Sequence, residues 1–270
     1  MCVGRAVIGG FTISGVIPFP PVPAGDPIKI SATTYIAFRQ CPAQAEARFQ
    51  GVYPPESKQS FLGAVAHRIF ARHLTSGPIK DLPQAIREEI GTGLNPKLVA
   101  LGIHRPSELE ELIRTMGSLY ERFCRFPSDG FESAEVSLEA EPADGVLLIG
   151  KIDAVFNDGS QAPLLRDWKT GSLGEPMDQL MFYALVWALA RNEVPGVIEA
   201  VSLQTGERMR SQPTVATLTQ VAAQVAELVT AVRQNWASGE AAQLRGGPWC
   251  RYCPLLPDCP EGSVAFAVNE

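Results

Sequence analysis

The chain has 270 residues, of which 46% are hydrophobic and 19% are charged, and its formal net charge is −6 at pH 7. This length and composition are sufficient for a full hydrophobic core in one large domain. The acidic balance excludes a generally basic nucleic-acid-binding protein, although bound cations and a local arginine cluster can reverse the sign of the charge within a cleft.

The first 27 residues combine an apolar stretch with a proline-rich segment. No run of 18 or more apolar residues occurs in the sequence, so it predicts no transmembrane helix and no membrane partner. The absence of an Ala-x-Ala cleavage pattern argues against a signal peptide. We therefore expect a flexible leader over residues 1–27, which a misassigned start codon would also produce, and a single domain over residues 28–270.

Helical patterns dominate the first half of this domain. A first helix is predicted over residues 31–50, with Ser31 as its N-cap, and a second helix over residues 61–74. A third helix is predicted to begin at Ser107, because Glu110 three residues later completes a capping box. The apolar residues that follow at helical spacing would face the core.

The middle of the chain changes to strand-like apolar runs. Three strands are predicted to form a meander, which a helix, a fourth strand and a long amphipathic helix follow. The meander strands span residues 135–140, 146–156 and 162–168, and the later elements span residues 177–191, 197–203 and 215–236. This order predicts an α/β or α+β core in which helices flank a short sheet.

Asp153 lies in the second of these strands, and Asp167 and Lys169 lie at the end of the third. Residues 157–160, Asn-Asp-Gly-Ser, have the composition of a hairpin turn, which would bring the two aspartates close together. Alternation along a strand puts Asp167 and Lys169 on one face. Because buried charges are costly unless they are paired or bind metal, the pattern predicts a divalent-metal site. Asp-x-Lys on its own is also typical of a solvated ion pair.

Three more polar residues accompany this pattern. Gln179 and Tyr183, four residues apart, share one face of an otherwise apolar helix directly after the Asp167 strand. The structural alternative is a solvent-facing glutamine beside a half-buried tyrosine. His67 lies one turn after Gly63 on the second helix, and here a purely structural histidine is the alternative to a metal ligand.

Six cysteines occur, at positions 2, 41, 124, 250, 253 and 259. They are too few and too unevenly spaced for a secreted disulfide framework, which favours a reducing, cytoplasmic compartment. Cys250, Cys253 and Cys259 have metal-ligand spacing, and Cys41 is the expected fourth ligand of either Zn²⁺ or an iron–sulfur cluster. Such a site would tie the two ends of the domain together. Unrelated buried cysteines are the alternative, and the other two cysteines are expected to be free thiols.

Together these residues resemble the RecB-like branch of the PD-(D/E)XK nuclease superfamily, which includes CRISPR-associated RecB-like exonucleases and the AddB-type nuclease domain. The resemblance covers about residues 31–260. It rests on six segments in the family's order: the opening helix to Cys41-Pro42, Gly63-x3-His67, Gly150-x2-Asp153, Asp167-Trp168-Lys169-Thr170-Gly171, Gln179-x3-Tyr183 and Cys250-x2-Cys253-x5-Cys259-Pro260. It implies a restriction-endonuclease-like core of a short mixed sheet, with the metal core at about residues 131–205 and a four-cysteine cluster joining the N- and C-terminal regions.

The resemblance also implies roles for individual residues. The implied ligands of Mg²⁺ or Mn²⁺ are His67, Asp153, Asp167 and the backbone carbonyl of Trp168. The implied catalytic residues are Asp153, Asp167, Lys169, Gln179 and Tyr183, with Lys169 as the catalytic lysine. The implied ligands of a structural [4Fe–4S] cluster, or alternatively of Zn²⁺, are Cys41, Cys250, Cys253 and Cys259.

The implied function is that of a divalent-metal-dependent DNA nuclease, an exonuclease acting on single-stranded ends in DNA repair, recombination or CRISPR-type DNA processing. The sequence contains no Gly-x4-Gly-Lys-[Ser/Thr] phosphate loop, so a separate helicase or a CRISPR-type protein is an expected partner besides DNA. The alternatives are a non-catalytic DNA-binding or assembly subunit of a helicase–nuclease complex and an iron–sulfur redox protein. The intact acids and lysine argue against the first alternative, and no glycine-rich cofactor motif supports the second.

Overall fold

The computed structural model of the protein describes residues 17–91, 93–157, 159 and 162–268. Its strands are β1 (Ile28–Ser31), β2 (Phe131–Ala143), β3 (Val146–Phe156), β4 (Leu164–Lys169), β5 (Val197–Ser202) and β6 (Arg208–Ser211). Its α-helices are α1 (Ala32–Gln40), α2 (Pro42–Phe49), α3 (Lys58–Ser76), α4 (Leu82–Ile90), α5 (Pro96–Ala100), α6 (Pro106–Phe123), α7 (Met177–Arg191), α8 (Val215–Ser238) and α9 (Pro260–Val268). Two short 3₁₀ helices, Pro248–Tyr252 and Leu256–Asp258, precede α9.

The six strands form one mixed sheet around β3. β2 pairs with β3 along its length, so β1 and β4 must share the opposite edge of β3. β1 pairs in parallel with residues 146–149, and β4 pairs antiparallel with residues 154–156. β5 lies parallel to β4, and β6 lies antiparallel to β5. The predicted α/β fold, a short mixed sheet with flanking helices, is confirmed, and one edge of β3 has a gap between its two partner strands.

Hydrophobic clusters cover both faces of this sheet. On one face, α1, α7 and α8 contribute buried residues such as Phe182 and Leu228. On the other face, α3, α4 and α6 pack with Phe70 and with Trp168 of β4. The apolar residues that the sequence places on one face of the third helix, within residues 109–123, are buried in this second cluster as predicted.

The helix predicted over residues 31–50 is divided into α1 and α2 at Cys41. Cys41 has extended backbone angles, φ −154° and ψ 112°, because the proline that follows it disfavours the α conformation. Pro42 then starts α2, where its missing N–H costs no hydrogen bond. Ser31 is the N-cap of α1 as predicted, and its hydroxyl accepts a hydrogen bond of 3.2 Å from the Thr34 N–H.

The predicted capping box at the third helix is wrong by two residues. α6 begins at Pro106, and the Glu108 carboxylate accepts hydrogen bonds from the backbone N–H groups of His104 (2.8 Å) and Arg105 (3.1 Å). The proline explains the difference, since its fixed φ favours the first helical position and moves the start of the helix ahead of Ser107.

Part of the segment predicted as a leader packs against the core. Ile17 and Phe19 are buried in the cluster that α1, α7 and α8 form. The guanidinium of Arg233 in α8 donates hydrogen bonds to backbone carbonyls of the same segment. Residues 17–27 therefore belong to the folded domain, and the earlier residues of the predicted leader lie outside the described residues.

Several elements have no clear signal in the sequence. β1 and β6 have four residues each, which is too short for an alternating pattern to be recognised, and α4 and α5 are also short. α8 is long and apolar enough by composition to cross a membrane. In this fold Leu218, Val229 and other apolar residues of α8 are buried in the cluster that α8 forms with α1 and α7.

Candidate active site

The gap beside β3 positions the two aspartates. Ala154 and Arg166 are the last residues paired between β3 and β4, so Asp153 and Asp167 come next on the diverging strands. The N–H of Trp168 donates a hydrogen bond of 2.7 Å to Asp153 Oδ2 instead of to the neighbouring backbone. The predicted approach of the two aspartates on adjacent strands is therefore present, although Asp158 and Ser160 of the predicted turn lie outside the described residues.

Asp167, Lys169, Gln179 and Tyr183 form one hydrogen-bonded network. Lys169 Nζ lies 2.9 Å from Asp167 Oδ2 and donates a hydrogen bond of 2.6 Å to Gln179 Oε1. The Gln179 amide in turn donates to Asp167 Oδ1 at 3.1 Å and to the Tyr183 hydroxyl at 2.9 Å. The predicted face of α7 thus lies against the end of β4. The glutamine side chain connects the acid, the lysine and the tyrosine.

His67 joins the site from α3 on the other face of the sheet. Its Nδ1 lies 2.9 Å from Asp153 Oδ1, so both oxygens of Asp153 have partners. Burial would lower the pKa of His67, but the charge of Asp153 and the hydrogen bond to it outweigh burial and raise this pKa. Gly63, one turn earlier, lines the same cleft, and a Cβ at this position would make only an ordinary contact of 3.6 Å with Thr170.

Burial is the main cause of the raised pKa values of Asp167 and Tyr183. Asp167 is 4% exposed, and burial together with the charge of Asp153 raises its pKa to about 6, against the opposing effect of Lys169. Burial also raises the pKa of Tyr183, so its hydroxyl is a hydrogen-bonding group rather than a base at neutral pH. Asp167 Oδ2 is buried and, apart from its ion pair with Lys169, has no hydrogen-bond donor.

Glu135 of β2 is a further acid that the sequence patterns do not identify. Its position falls opposite Asp153, between the register pairs Ala134–Ala154 and Val136–Ile152. Its carboxylate forms an ion pair with Lys151. Glu135 begins the first strand of the predicted meander and has no motif spacing to Asp153, so only the pairing of β2 with β3 reveals that the two acids are neighbours.

Comparison with known proteins identifies the family of this chain. The family model described as "PD-(D/E)XK nuclease superfamily" matches residues 29–260. The chain belongs to the PD-(D/E)XK nuclease superfamily. No curated protein matches this superfamily member. A similar solved structure, described as "Crystal structure of SSO0001", shares 17% identity over 74% of this chain and 96% of that chain, with a TM-score of 0.32.

The cleft of this PD-(D/E)XK chain has a volume of about 490 Å³ and contains all the predicted catalytic and Mg²⁺-site residues. Carboxylate and carbonyl oxygens with an imidazole suit Mg²⁺ or Mn²⁺. The buried Asp167 oxygen that has no hydrogen-bond donor is an available ligand, so the residues fit such an ion. Trp168 can offer only its backbone, because its side chain is buried in the second cluster on the opposite face.

The four predicted cluster cysteines lie together and outside the cleft. Cys41, Cys250, Cys253 and Cys259 line one small cavity. Three of the sulfurs accept hydrogen bonds from backbone N–H groups: Cys41 from Arg245 (3.4 Å), Cys250 from Gly247 (3.4 Å) and Cys259 from Gly262 (3.2 Å). Burial and the neighbouring thiols raise the pKa of Cys253 in the metal-free protein. Cys124 is exposed and distant in sequence from these four, and Cys2 lies outside the described residues.

Proposed function

We propose that the protein is a divalent-metal-dependent DNA exonuclease that acts on single-stranded ends. The observation that supports this most directly is the group of Asp153, Asp167, Lys169 and Gln179 at the gap along one edge of β3, where β4 diverges from it. Two acids and one ammonium in a single cleft provide metal ligands and a proton donor within reach of one phosphate.

Each group has a distinct part in phosphodiester hydrolysis. An ion held by Asp153, Asp167, His67 and the Trp168 carbonyl would polarise the phosphate and lower the pKa of a water molecule. Lys169 is oriented by Asp167 and Gln179, so its ammonium can hold the attacking water and donate to the negatively charged phosphoryl oxygen. The Gln179 amide donates a hydrogen bond to the Tyr183 hydroxyl, which fixes the orientation of the amide.

We further propose that Cys41, Cys250, Cys253 and Cys259 hold a structural [4Fe–4S] cluster. The four cysteines line one small cavity, and backbone N–H groups donate hydrogen bonds to three of their sulfurs. Four thiolates suit an iron–sulfur cluster or one zinc ion, and the resemblance of Cys250-x2-Cys253-x5-Cys259-Pro260 to the RecB-like pattern favours the cluster.

The cysteine group and the lack of a phosphate loop in the sequence support a proposal for the biological setting of the nuclease. The cysteine group requires reduced thiols, which supports a cytoplasmic location. Since the sequence has no phosphate loop for ATP hydrolysis, unwinding of duplex DNA would require a separate helicase or a CRISPR-type partner. We propose repair, recombination or CRISPR-type processing as the setting.

The test is Mn²⁺-dependent degradation of DNA labelled at its 5′ or 3′ end, with single- and double-stranded forms compared. We expect mononucleotide or short products from single strands, and a loss of at least about 100-fold in kcat for Lys169→Ala, since an electrostatic group of this kind typically contributes that much. Lys80→Ala is the matched control, because Lys80 is exposed and lies outside the cleft.

Activity that is equal in the parent and in Lys169→Ala would refute the assignment of the site. Specific binding of DNA without cleavage at any Mn²⁺ concentration would favour the non-catalytic subunit. For the cysteine group, the visible spectrum and metal content after anaerobic purification distinguish the cofactors: a colourless protein with one zinc per chain would refute the cluster.

A further inference from the structure

A buried ion pair lies outside the cleft, between the two strands that follow β3 in the sheet. Arg166 of β4 and Glu199 of β5 are register partners, and their side chains are 6% and 0% exposed. Arg166 Nε donates a hydrogen bond of 2.6 Å to Glu199 Oε2. Because side chains alternate along a strand, Arg166 and Trp168 point to the face of β4 opposite to Asp167. Neither member of the pair lines the cleft.

Arg166 occupies the position at which β4 leaves β3. Its register partner on β3 is Ala154, which is the last residue paired between these two strands before they diverge. Along β5, in contrast, β4 remains paired from Leu164 to Lys169. The ion pair therefore holds β4 to β5 at the point where the gap beside β3 begins.

The guanidinium of Arg166 also connects the ring of Phe156 on β3 with the ring of Trp168 on β4. Its central carbon lies 4.2 Å from the centroid of the first ring and 5.0 Å from that of the second. The same indole makes edge-on contacts with the rings of Phe123 and Phe126. These contacts fix the Trp168 side chain, and with it the backbone N–H that donates a hydrogen bond of 2.7 Å to Asp153 Oδ2.

Stability alone does not account for an ion pair at this position. Removing two charges from water is costly, and apolar residues of similar volume are often as stabilising as a buried pair or more so. Arg208 and Arg210 of β6 lie 3.1 Å and 3.4 Å from Glu199 Oε1, but their side chains are 39% and 54% exposed. What the buried pair adds over apolar packing is a defined geometry, because the planar guanidinium fixes both the separation and the orientation of its partner.

We propose that Arg166 and Glu199 are positioning residues of the candidate active site. The inference rests on the proposed nuclease function. By holding β4 on β5 and the indole of Trp168 in place, the pair fixes the Trp168 N–H against Asp153 and thereby the separation of the two aspartates. A small displacement of β4 would move Asp167 relative to Asp153, although no residue of the cleft had been replaced.

The test compares the parent with the double variant Arg166→Met/Glu199→Leu, in which apolar side chains replace both charges. We expect a melting temperature in chelator at least equal to that of the parent. In the same metal-free protein, NMR should show about tenfold faster solvent exchange of the Trp168 amide proton, as loss of one hydrogen bond would give. We expect the affinity for Mn²⁺, measured by calorimetry, and kcat for DNA cleavage to fall by roughly 10- to 100-fold, with KM for DNA unchanged.

Arg210→Gln is the matched control. It removes another cation that pairs with Glu199, but Arg210 lies on β6 and is half-exposed. We expect this variant to match the parent in amide exchange, Mn²⁺ affinity and kcat.

The outcomes separate this inference from the proposed function. Parent values of amide exchange, Mn²⁺ affinity and kcat in the folded double variant would overturn the inference, since the pair would then only fill space in the core. A higher KM without any change at the Trp168 amide would also overturn it. If the parent cleaves no DNA, the proposed function fails, whereas amide exchange and Mn²⁺ affinity still decide whether the pair positions the aspartates.

A second variant keeps the inference testable if the double variant folds poorly. Arg166→Lys retains a positive charge beside Glu199 but lacks the planar group between the rings of Phe156 and Trp168. We expect kcat to fall by about tenfold with KM unchanged, and the Trp168 amide proton to exchange faster than in the parent. Rates of cleavage and of amide exchange equal to those of the parent would refute the role of Arg166.

Discussion

Asp153 and Asp167 lie on adjacent strands, yet they differ in burial and in hydrogen-bond partners. Asp153 accepts a hydrogen bond from the Trp168 N–H and contacts His67 Nδ1, so both of its oxygens have partners that fix the side chain. Asp167 is almost fully buried, and its Oδ2 atom has only an ion pair with Lys169. Burial of this carboxylate is unfavourable, and a cation bound there, as we propose, would remove that cost and couple metal binding to stability.

The pKa of Asp167 predicts how the stability of the metal-free protein varies with pH. This pKa is raised from 3.8 to about 6, so the contribution of Asp167 to stability is fully present below pH 3.8 and is lost as the pH rises through about 6. We expect Asp167→Asn in chelator to be more stable than the parent at pH 8, by on the order of 2 kcal/mol, and the difference to vanish near pH 4. Urea unfolding at both pH values measures this.

Added Mn²⁺ should reverse the order of stability at pH 8, because the ion stabilises only the protein with the intact carboxylate. Asp129→Asn is the control, since Asp129 is exposed. A constant difference between parent and Asp167→Asn at all pH values would contradict the assigned pKa.

At the scale of elements, the divergence of β4 from β3 creates the site and α7 completes it. β1 pairs with the first part of β3 and β4 pairs with its last part, so the strand edge between them is open to the cleft. α7 follows β4 and directs Gln179 and Tyr183 back over its end. α3 supplies His67 from the opposite face. The geometry of the centre therefore depends on how four elements pack.

The start of α6 offers a test at this scale. Glu108 caps the helix, and its hydrogen bonds with the Arg105 side chain and with the backbone N–H groups lower its pKa from 4.5 to about 2. Its stabilising effect is therefore present above pH 4.5 and is lost as the pH falls through about 2. We expect Glu108→Ala to have a lower melting temperature than the parent at pH 7, and the gap to narrow as the pH falls below 4.5.

Glu111→Ala is the control for the cap, since Glu111 is an exposed acid one turn further along α6. Calorimetry at neutral and acidic pH gives the melting temperatures. A gap that stays the same down to pH 2 would show that the cap acts through packing and not through its charge.

At the scale of the whole molecule, the cysteine group connects distant parts of the chain. Cys41 lies between α1 and α2, and the other three cysteines lie around the two 3₁₀ helices before α9. A cofactor that joins these segments would close a loop of most of the chain, and closing a long loop lowers the entropy of the unfolded state. The cleft of the candidate active site is lined by other residues and does not include any of the four cysteines.

Because the cysteines lie outside the cleft, we expect their loss to lower the stability of the protein more than its ability to bind metal in the cleft. We expect Cys250→Ala to lower the soluble yield and the melting temperature more strongly than it lowers Mn²⁺ binding per folded molecule. Cys124→Ala is the matched control, since Cys124 is exposed and outside the group, and it should behave like the parent. Equal melting temperatures for Cys250→Ala and the parent would contradict a structural role for the cofactor.

The order of polar residues along the chain was enough to predict the nuclease superfamily, the strands that bear Asp153 and Asp167, and the helix that bears Gln179 and Tyr183. These predictions succeed because alternation and helical spacing are local properties of consecutive residues. The start of α6 was misplaced because a proline at the first helical position competes with a serine cap.

Only the tertiary structure decided the features that depend on strand pairing. Glu135 comes opposite Asp153 through the register of β2 and β3, 18 positions apart in the sequence, and no local pattern encodes that register. Likewise, Glu199 is fully buried in β5 because Arg166 of β4 pairs with it at 2.6 Å. The sequence by itself determined which chemical groups are available and in what order. The packing of β2, β3, β4 and α7 decided which of them meet, because a contact between distant residues depends on the fold as a whole.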